Sequence, residues 1–76
     1  MKPIYRLEVI SNNIVKVVNF AALKKYTHAD QYRLTKCYYK REGKEYNCYI
    51  ELVGSVFTNH SEFIKYAKVM LSLLRD

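Results

Sequence analysis

Hydrophobic and polar residues alternate from position 5 towards Ile10, with Tyr5, Leu7 and Val9 on one face and Arg6 and Glu8 on the other. This period of two predicts a half-buried β-strand. The run Ser11-Asn12-Asn13 follows, and asparagine tolerates the positive φ angles of a tight turn. A second strand is therefore predicted over Ile14–Val18, antiparallel to the first.

A short helix is predicted after this hairpin. Asn19 can cap a helix that begins at Phe20, because its side chain can accept from a backbone N–H of the first turn. The run 27–30, Thr-His-Ala-Asp, resembles a second capping box. We therefore expect a break near Tyr26.

A second hairpin is predicted from two β-prone runs, Arg33–Lys40 and Glu45–Val53, with Glu42 and Gly43 as its loop. This register places Cys37 opposite Cys48. The face predicted to contact the core carries Thr35, Cys37, Tyr39, Tyr46, Cys48, Ile50 and Leu52. The face predicted to contact solvent carries Leu34, Lys36, Tyr38, Lys40, Glu45, Asn47, Tyr49 and Glu51.

The last element is predicted to be a helix. Asn59 and Glu62 form a capping box, and helix-forming residues follow to Arg75. The apolar positions form a core stripe: Phe63, Ile64, Ala67, Met70, Leu71 and Leu74. Tyr66, Val69 and Leu73 widen this stripe to roughly 220°, against about 100° for a surface helix. Either the sheet curls around the helix, or these three residues form a protein interface, for example in a homodimer.

The predicted fold class is α+β, and residues 1–76 are expected to form a single compact domain. An antiparallel sheet of about four strands, made of two hairpins, packs on the C-terminal helix, with a short helix between the hairpins. Half of the residues are hydrophobic, so the core is rich enough for folding without a metal or disulfide.

A cytoplasmic protein with no membrane partner is expected. No apolar run approaches the ~20 residues of a membrane span, and no apolar leader follows the charged start. In a reducing compartment the two cysteines are expected to be buried, reduced thiols.

The charge distribution points to a partner. Residues 24–44 carry seven Lys and Arg against two acidic residues, or +5 of the total +6, and they are interleaved with tyrosines. Such a segment attracts phosphate and can stack on bases. The predicted partner is nucleic acid or a nucleoprotein, with phosphate contacts from the cations and stacking by the tyrosines. The predicted site comprises Lys24, Lys25, Arg33, Lys36, Tyr38, Lys40, Arg41, Lys44 and Tyr49.

Catalytic and metal sites are not predicted. The two glycines stand apart, so no phosphate-binding loop is present. Cys37, Cys48, His28 and His60 lack the local pair spacing typical of zinc sites. His60-Ser61-Glu62 lies at a helix start, where such residues usually cap the helix. We therefore expect a non-enzymatic protein without a cofactor.

The order of elements over residues 20–74 is similar to that of a double-stranded-RNA-binding domain. The similarity comprises a helix, a strand pair around Arg41-Glu42-Gly43, Gly54 and a closing helix. That family opens its last helix with a basic Ser-Lys-Lys-type start, whereas here Ser61-Glu62-Phe63 stands there. An N-terminal hairpin is also added, and one strand is lacking after Gly54. The similarity is one of layout, which by itself carries no function.

An alternative function is a small protein inhibitor, such as those that phages or mobile elements encode to block a larger enzyme. A short chain without catalytic residues and with surplus apolar and aromatic surface fits this class, because Tyr and Arg also anchor protein interfaces. A third hypothesis is a small subunit of a ribonucleoprotein or replication complex, which would combine both surfaces.

Overall fold

The computed structural model describes residues 2–74. Its elements are β1 (Ile4–Ser11), β2 (Ile14–Val18), α1 (Phe20–Leu23), β3 (Gln31–Glu42), β4 (Glu45–Phe57) and α2 (His60–Leu74). The four strands form one antiparallel sheet in the order β2-β1-β3-β4. The prediction of an α+β fold with two hairpins, a short intervening helix and a closing helix is confirmed.

The first hairpin has the predicted turn. Asn12 and Asn13 have φ angles of 51° and 62°, and Ser11 pairs with Ile14 across the turn. Two positive φ angles define the type I′ geometry, whose twist matches that of the flanking strands. The asparagine pair therefore sets the register of β1 against β2.

Helix α1 is a single turn capped as predicted. The Ala22 backbone N–H donates to Oδ1 of Asn19 at 2.7 Å, and the helix ends at Leu23, before Tyr26. No second helix begins at residues 27–30 of the described chain. The Asp30 carboxylate instead accepts from the Asn12 N–H at 2.9 Å, which ties this loop to the first hairpin.

The register predicted for the second hairpin is wrong by two residues. Glu42 pairs with Glu45, so Gly43 and Lys44 form the loop, and Cys37 lies opposite Ile50 instead of Cys48. Gly43 has a φ of 65°, and a two-residue loop of type II′ takes glycine at its first central position. A shift by two leaves the membership of each face unchanged, because side chains alternate with a period of two.

The face predicted to contact the core is the wrong one. Both helices cover the opposite face, which carries Leu34 and Val53. The buried residues of the core are Leu7, Val9, Leu23, Tyr32, Leu34, Phe63 and Ala67. Leu34 continues the apolar row that begins at Leu7 on β1, and this row determines which side of β3 the helices cover.

Helix α2 begins at its predicted cap, since Oδ1 of Asn59 accepts from the Glu62 N–H at 3.0 Å. Tyr66 is half-buried, and its hydroxyl donates to the Val53 carbonyl at 3.0 Å. By contrast Val69 and Leu73 are exposed, with Leu73 at 67%. The sheet therefore does not curl around the helix. The predicted end at Arg75 lies outside the described residues.

Candidate functional site

One face of the sheet is covered by neither helix, and we call it the open face. It carries alternate residues of all four strands: Ile4, Arg6, Glu8, Ile10, Val15, Val17, Gln31, Arg33, Thr35, Cys37, Tyr39, Arg41, Tyr46, Cys48, Ile50 and Leu52. The molecule is 19 Å thick along its shortest axis, which accommodates one sheet and one layer of helices. The open face is therefore a continuous surface against which neither helix packs.

A charged cluster occupies the middle of the open face. Glu8 is only 1% exposed and accepts from Arg6 Nη2 at 2.8 Å, from Arg33 Nε at 2.6 Å and from the Thr35 hydroxyl at 2.8 Å. Cross-strand pairing places Arg33 and Thr35 beside Glu8 and Arg6. The two arginine side chains therefore cover the carboxylate and exclude solvent from it.

The cluster also fixes the charge of Glu8. Burial alone raises its pKa, but hydrogen bonds from Arg33 and Thr35 and the positive charges of Arg33 and Arg6 outweigh burial and hold the pKa below its ordinary value. The carboxylate is therefore ionised at neutral pH. Because it is inaccessible, it leaves the arginines as the accessible charges of this region.

Aromatic and aliphatic side chains surround the cluster on the open face. Tyr39 is 50% exposed, Tyr46 is 59% exposed and Ile50 is 56% exposed. Tyr39 pairs with Cys48 and Arg41 with Tyr46, so the two tyrosines are diagonal neighbours, about 7 Å apart at their Cα atoms. Two rings and one guanidinium group thus lie together at the far end of the sheet.

This far end is a two-stranded arm. The last residue of β3 that pairs with β1 is Cys37, so residues 38–49 extend beyond the third strand, and we call them the hairpin arm. Tyr39, Arg41 and Tyr46 lie on its open face, whereas Tyr38 and Tyr49 lie on its helix-side face.

The helix-side face of the hairpin arm is rich in carboxylates. The rings of Tyr38 and Tyr49 stack on each other with centroids 5.7 Å apart. The Tyr38 hydroxyl donates to Glu51 at 2.6 Å, and the Tyr49 hydroxyl donates to Glu42. These bonds raise the pKa of both hydroxyls, because they are made to negative charges. The tyrosines predicted to stack on bases are therefore engaged with each other and with carboxylates.

The predicted cationic residues do not form one surface. Lys36 and Lys40 share the helix-side face with Glu42, Glu45 and Glu51. Three others are dispersed among the loops, with Lys24 and Lys25 directly after α1 and Lys44 in the turn of the arm. Only Arg33 and Arg41 of the predicted set lie on the open face.

The two cysteines approach each other on the open face. Cys37 and Cys48 are diagonal neighbours whose Sγ atoms lie 3.5 Å apart. The prediction that both thiols are buried is wrong, since Cys48 is exposed and Cys37 is half-buried. Residues 2–74 contain no group of three His, Cys, Asp or Glu side chains placed to hold a metal ion.

Within the described part, neither helix is long and apolar enough to cross a bilayer. Comparisons with protein-family models, curated proteins and solved structures find no match for this chain.

Sequence reasoning missed Arg6, Tyr39 and Tyr46 as site candidates. Alternation correctly grouped the residues of each face, but both faces of β3 and β4 carry large apolar side chains. The signal that could have distinguished the two faces is on β1, where Leu7 and Val9 lie on one face and Arg6 and Glu8 lie on the other. Extending that apolar face to its neighbouring strand would have placed Leu34 in the core.

Proposed function

We propose that this chain is a non-enzymatic nucleic-acid-binding module whose open face receives a single strand. The observation that carries the proposal is the pairing of exposed Tyr39 and Tyr46 with Arg41 on an open four-stranded sheet. Exposed aromatic rings on a sheet surface can stack on unpaired bases. This interface is displaced from the predicted one to the opposite face of the same hairpin.

Electrostatics favours the open face over the helix-side face. Three arginines on the open face, Arg6, Arg33 and Arg41, stand against a single carboxylate, which is buried. On the helix-side face of the four strands, three lysines stand among three glutamates. Accessible carboxylates repel phosphate, whereas guanidinium groups can bind it and can also stack on bases.

The expected interaction is salt-dependent and modest in its number of phosphate contacts. Three arginines limit the contacts to about three, which corresponds to a log–log salt slope of about −2 for a single strand. Raising salt from 50 to 200 mM should then weaken binding about twentyfold. Fluorescence anisotropy with labelled single-stranded DNA and RNA, and with duplexes for comparison, measures both quantities.

Matched variants on the two faces of the hairpin arm test the placement. Replacing both Tyr39 and Tyr46 by alanine should weaken single-strand binding at least about thirtyfold, since each of the two stacked bases contributes about 1–3 kcal/mol. Replacing Tyr38 and Tyr49, which lie on the other face, should leave the affinity within about twofold. Equal losses in both pairs, or no binding by the wild type at 150 mM salt, would refute the proposal.

A protein-binding function, including that of an inhibitor, is the second candidate. It is favoured by aliphatic side chains on the open face, namely Ile4, Val17, Ile50 and Leu52, because exposed apolar patches mark protein interfaces. Ile50→Lys separates the two functions. The added charge should preserve or strengthen binding to oligonucleotides, whereas it should disrupt an apolar protein contact.

A further inference from the structure

A pair of thiols lies at the base of the hairpin arm, next to the charged cluster. The Sγ atoms of Cys37 and Cys48 are 3.5 Å apart, in contact but not bonded. Cys37 is also the residue at which β1 stops pairing with β3, through Ile4. The two sulfur atoms thus meet where the sheet narrows from three neighbouring strands to two.

We propose that Cys37 and Cys48 form a redox-active dithiol that closes reversibly to a disulfide. The co-reactant is a low-molecular-weight disulfide such as oxidised glutathione. One cysteine thiolate attacks a sulfur of this disulfide, which forms a mixed disulfide and releases one thiol. The second cysteine then attacks the protein sulfur of the mixed disulfide and releases the other thiol. In total, two protein thiols are oxidised and one small disulfide is reduced to two thiols.

Accessibility supports the first step and proximity supports the second. Cys48 is exposed, so a small disulfide can reach it, and Cys37 is already in contact with its sulfur. Contact with the Cys37 thiol and partial desolvation raise the pKa of Cys48, and the positive charge of the neighbouring Arg6 opposes this rise without cancelling it. The thiolate is the attacking species, so closure should accelerate as pH rises from 7 to 9.

The chemistry of the neighbourhood favours a disulfide over a metal. Structural zinc needs four ligands, and in residues 2–74 no His, Asp or Glu joins the two cysteines in a group of three. Exposed disulfides are also the easily reduced and regulatory ones. A reversible bond at this position would link β3 to β4 at the base of the hairpin arm and restrain their separation.

Equilibration in mixtures of reduced and oxidised glutathione tests the proposal, with acid quenching and intact-mass measurement. The wild-type chain should lose two hydrogen atoms in mass and remain monomeric. Cys37→Ser and Cys48→Ser should instead each gain one glutathione adduct. Native wild-type protein should also close at an oxidised-to-reduced ratio about tenfold lower than the same chain in urea, because the fold holds the thiols together.

Two outcomes would overturn the proposal. One is accumulation of glutathione adducts or intermolecular dimers by the wild type in place of the internal disulfide. The other is closure at the same glutathione ratio in native buffer and in urea, which would mean that the fold does not promote the bond. Neither measurement involves nucleic acid, so the result stands apart from the proposed binding function.

Discussion

Replacing Glu8 by glutamine tests the charged cluster of the open face. Glutamine keeps the shape of the side chain but turns one carboxylate oxygen into an NH₂ donor. One oxygen of Glu8 accepts from Arg33, and the other accepts from Arg6 and Thr35. In either orientation of the amide, its NH₂ group faces one of the two guanidinium groups, which then loses its hydrogen bond. The hydrogen bonds to the remaining oxygen are kept, but their acceptor is no longer charged.

The expected loss of stability is about 2–3 kcal/mol. Hydrogen bonds to charged groups contribute about 1.5–3 kcal/mol each, and removal of one partner from a buried ion pair costs about 3–5 kcal/mol. We expect a loss within the first of these ranges, because the side chains of Arg6 and Arg33 are 30% and 35% exposed, so water can solvate them. A domain of this size has a total stability of about 4–11 kcal/mol.

The effect should decrease in acid. The folded pKa of Glu8 is lowered, so its contribution is complete above the unfolded value of about 4.3 and is lost as pH falls through the folded value. Below that range the wild-type carboxyl group is protonated and uncharged like glutamine. The difference in stability between the two proteins should therefore be smaller at pH 3 than at pH 7.

Urea unfolding followed by circular dichroism measures the difference at both pH values. With a slope of about 1 kcal/mol/M, the midpoint of Glu8→Gln should fall by about 2 M at pH 7. Glu45→Gln is the control, because Glu45 is exposed and lies opposite Glu42, so it should be neutral or slightly stabilising. A loss below 0.5 kcal/mol at pH 7, or an undiminished loss at pH 3, would refute the reasoning.

Three further substitutions have distinct expected results in the same unfolding assay. Gly54→Ala should cost about 2–3 kcal/mol, against about 1 kcal/mol for Gly43→Ala. Both glycines have positive φ, but only at Gly54 would a Cβ clash with the Tyr66 hydroxyl; equal costs would contradict this clash. Tyr32→Phe should cost about 1–2 kcal/mol, because the buried hydroxyl bonds two loop backbone groups; a neutral result would contradict it. Leu73→Glu should leave stability within about 0.5 kcal/mol while abolishing any self-association in sedimentation; unfolding would show that Leu73 is core.

The local elements were predictable because their signals are short-range. Paired asparagines define the first turn, and Asn19 and Asn59 each satisfy a backbone N–H of the helix that follows. These signals depend on neighbours in sequence, so no tertiary information was required.

The register and the covered face depended on information that the local pattern lacks. The position of Gly43 in the loop determines the register, and glycine fits either central position of a tight turn at small cost. The apolar face that carries Ile50 and Leu52 is as hydrophobic in sequence as the face that carries Leu34 and Val53. Packing of α2 selects the second, through a bulge at Gly54 that receives Tyr66. The candidate site was misplaced for the same reason.

The central position of β1 in the sheet has a consequence for the order of folding. Each hairpin closes through a two-residue turn, on a timescale of about 1–10 μs, but an isolated hairpin is only marginally stable in water. The pairing that joins them brings Ile10 to Gln31, 21 positions later. This closure has the larger entropic cost, so we expect docking of the two preformed hairpins to limit the folding rate.

Stopped-flow kinetics can locate this step. Leu7→Ala, at the joint between the hairpins, should slow folding, whereas Tyr49→Ala, in the hairpin arm, should mainly accelerate unfolding. The reverse result would place the arm in the folding nucleus. During synthesis on a ribosome, β1 could pair only with β2, and its other edge would remain unpaired until β3 has been synthesised.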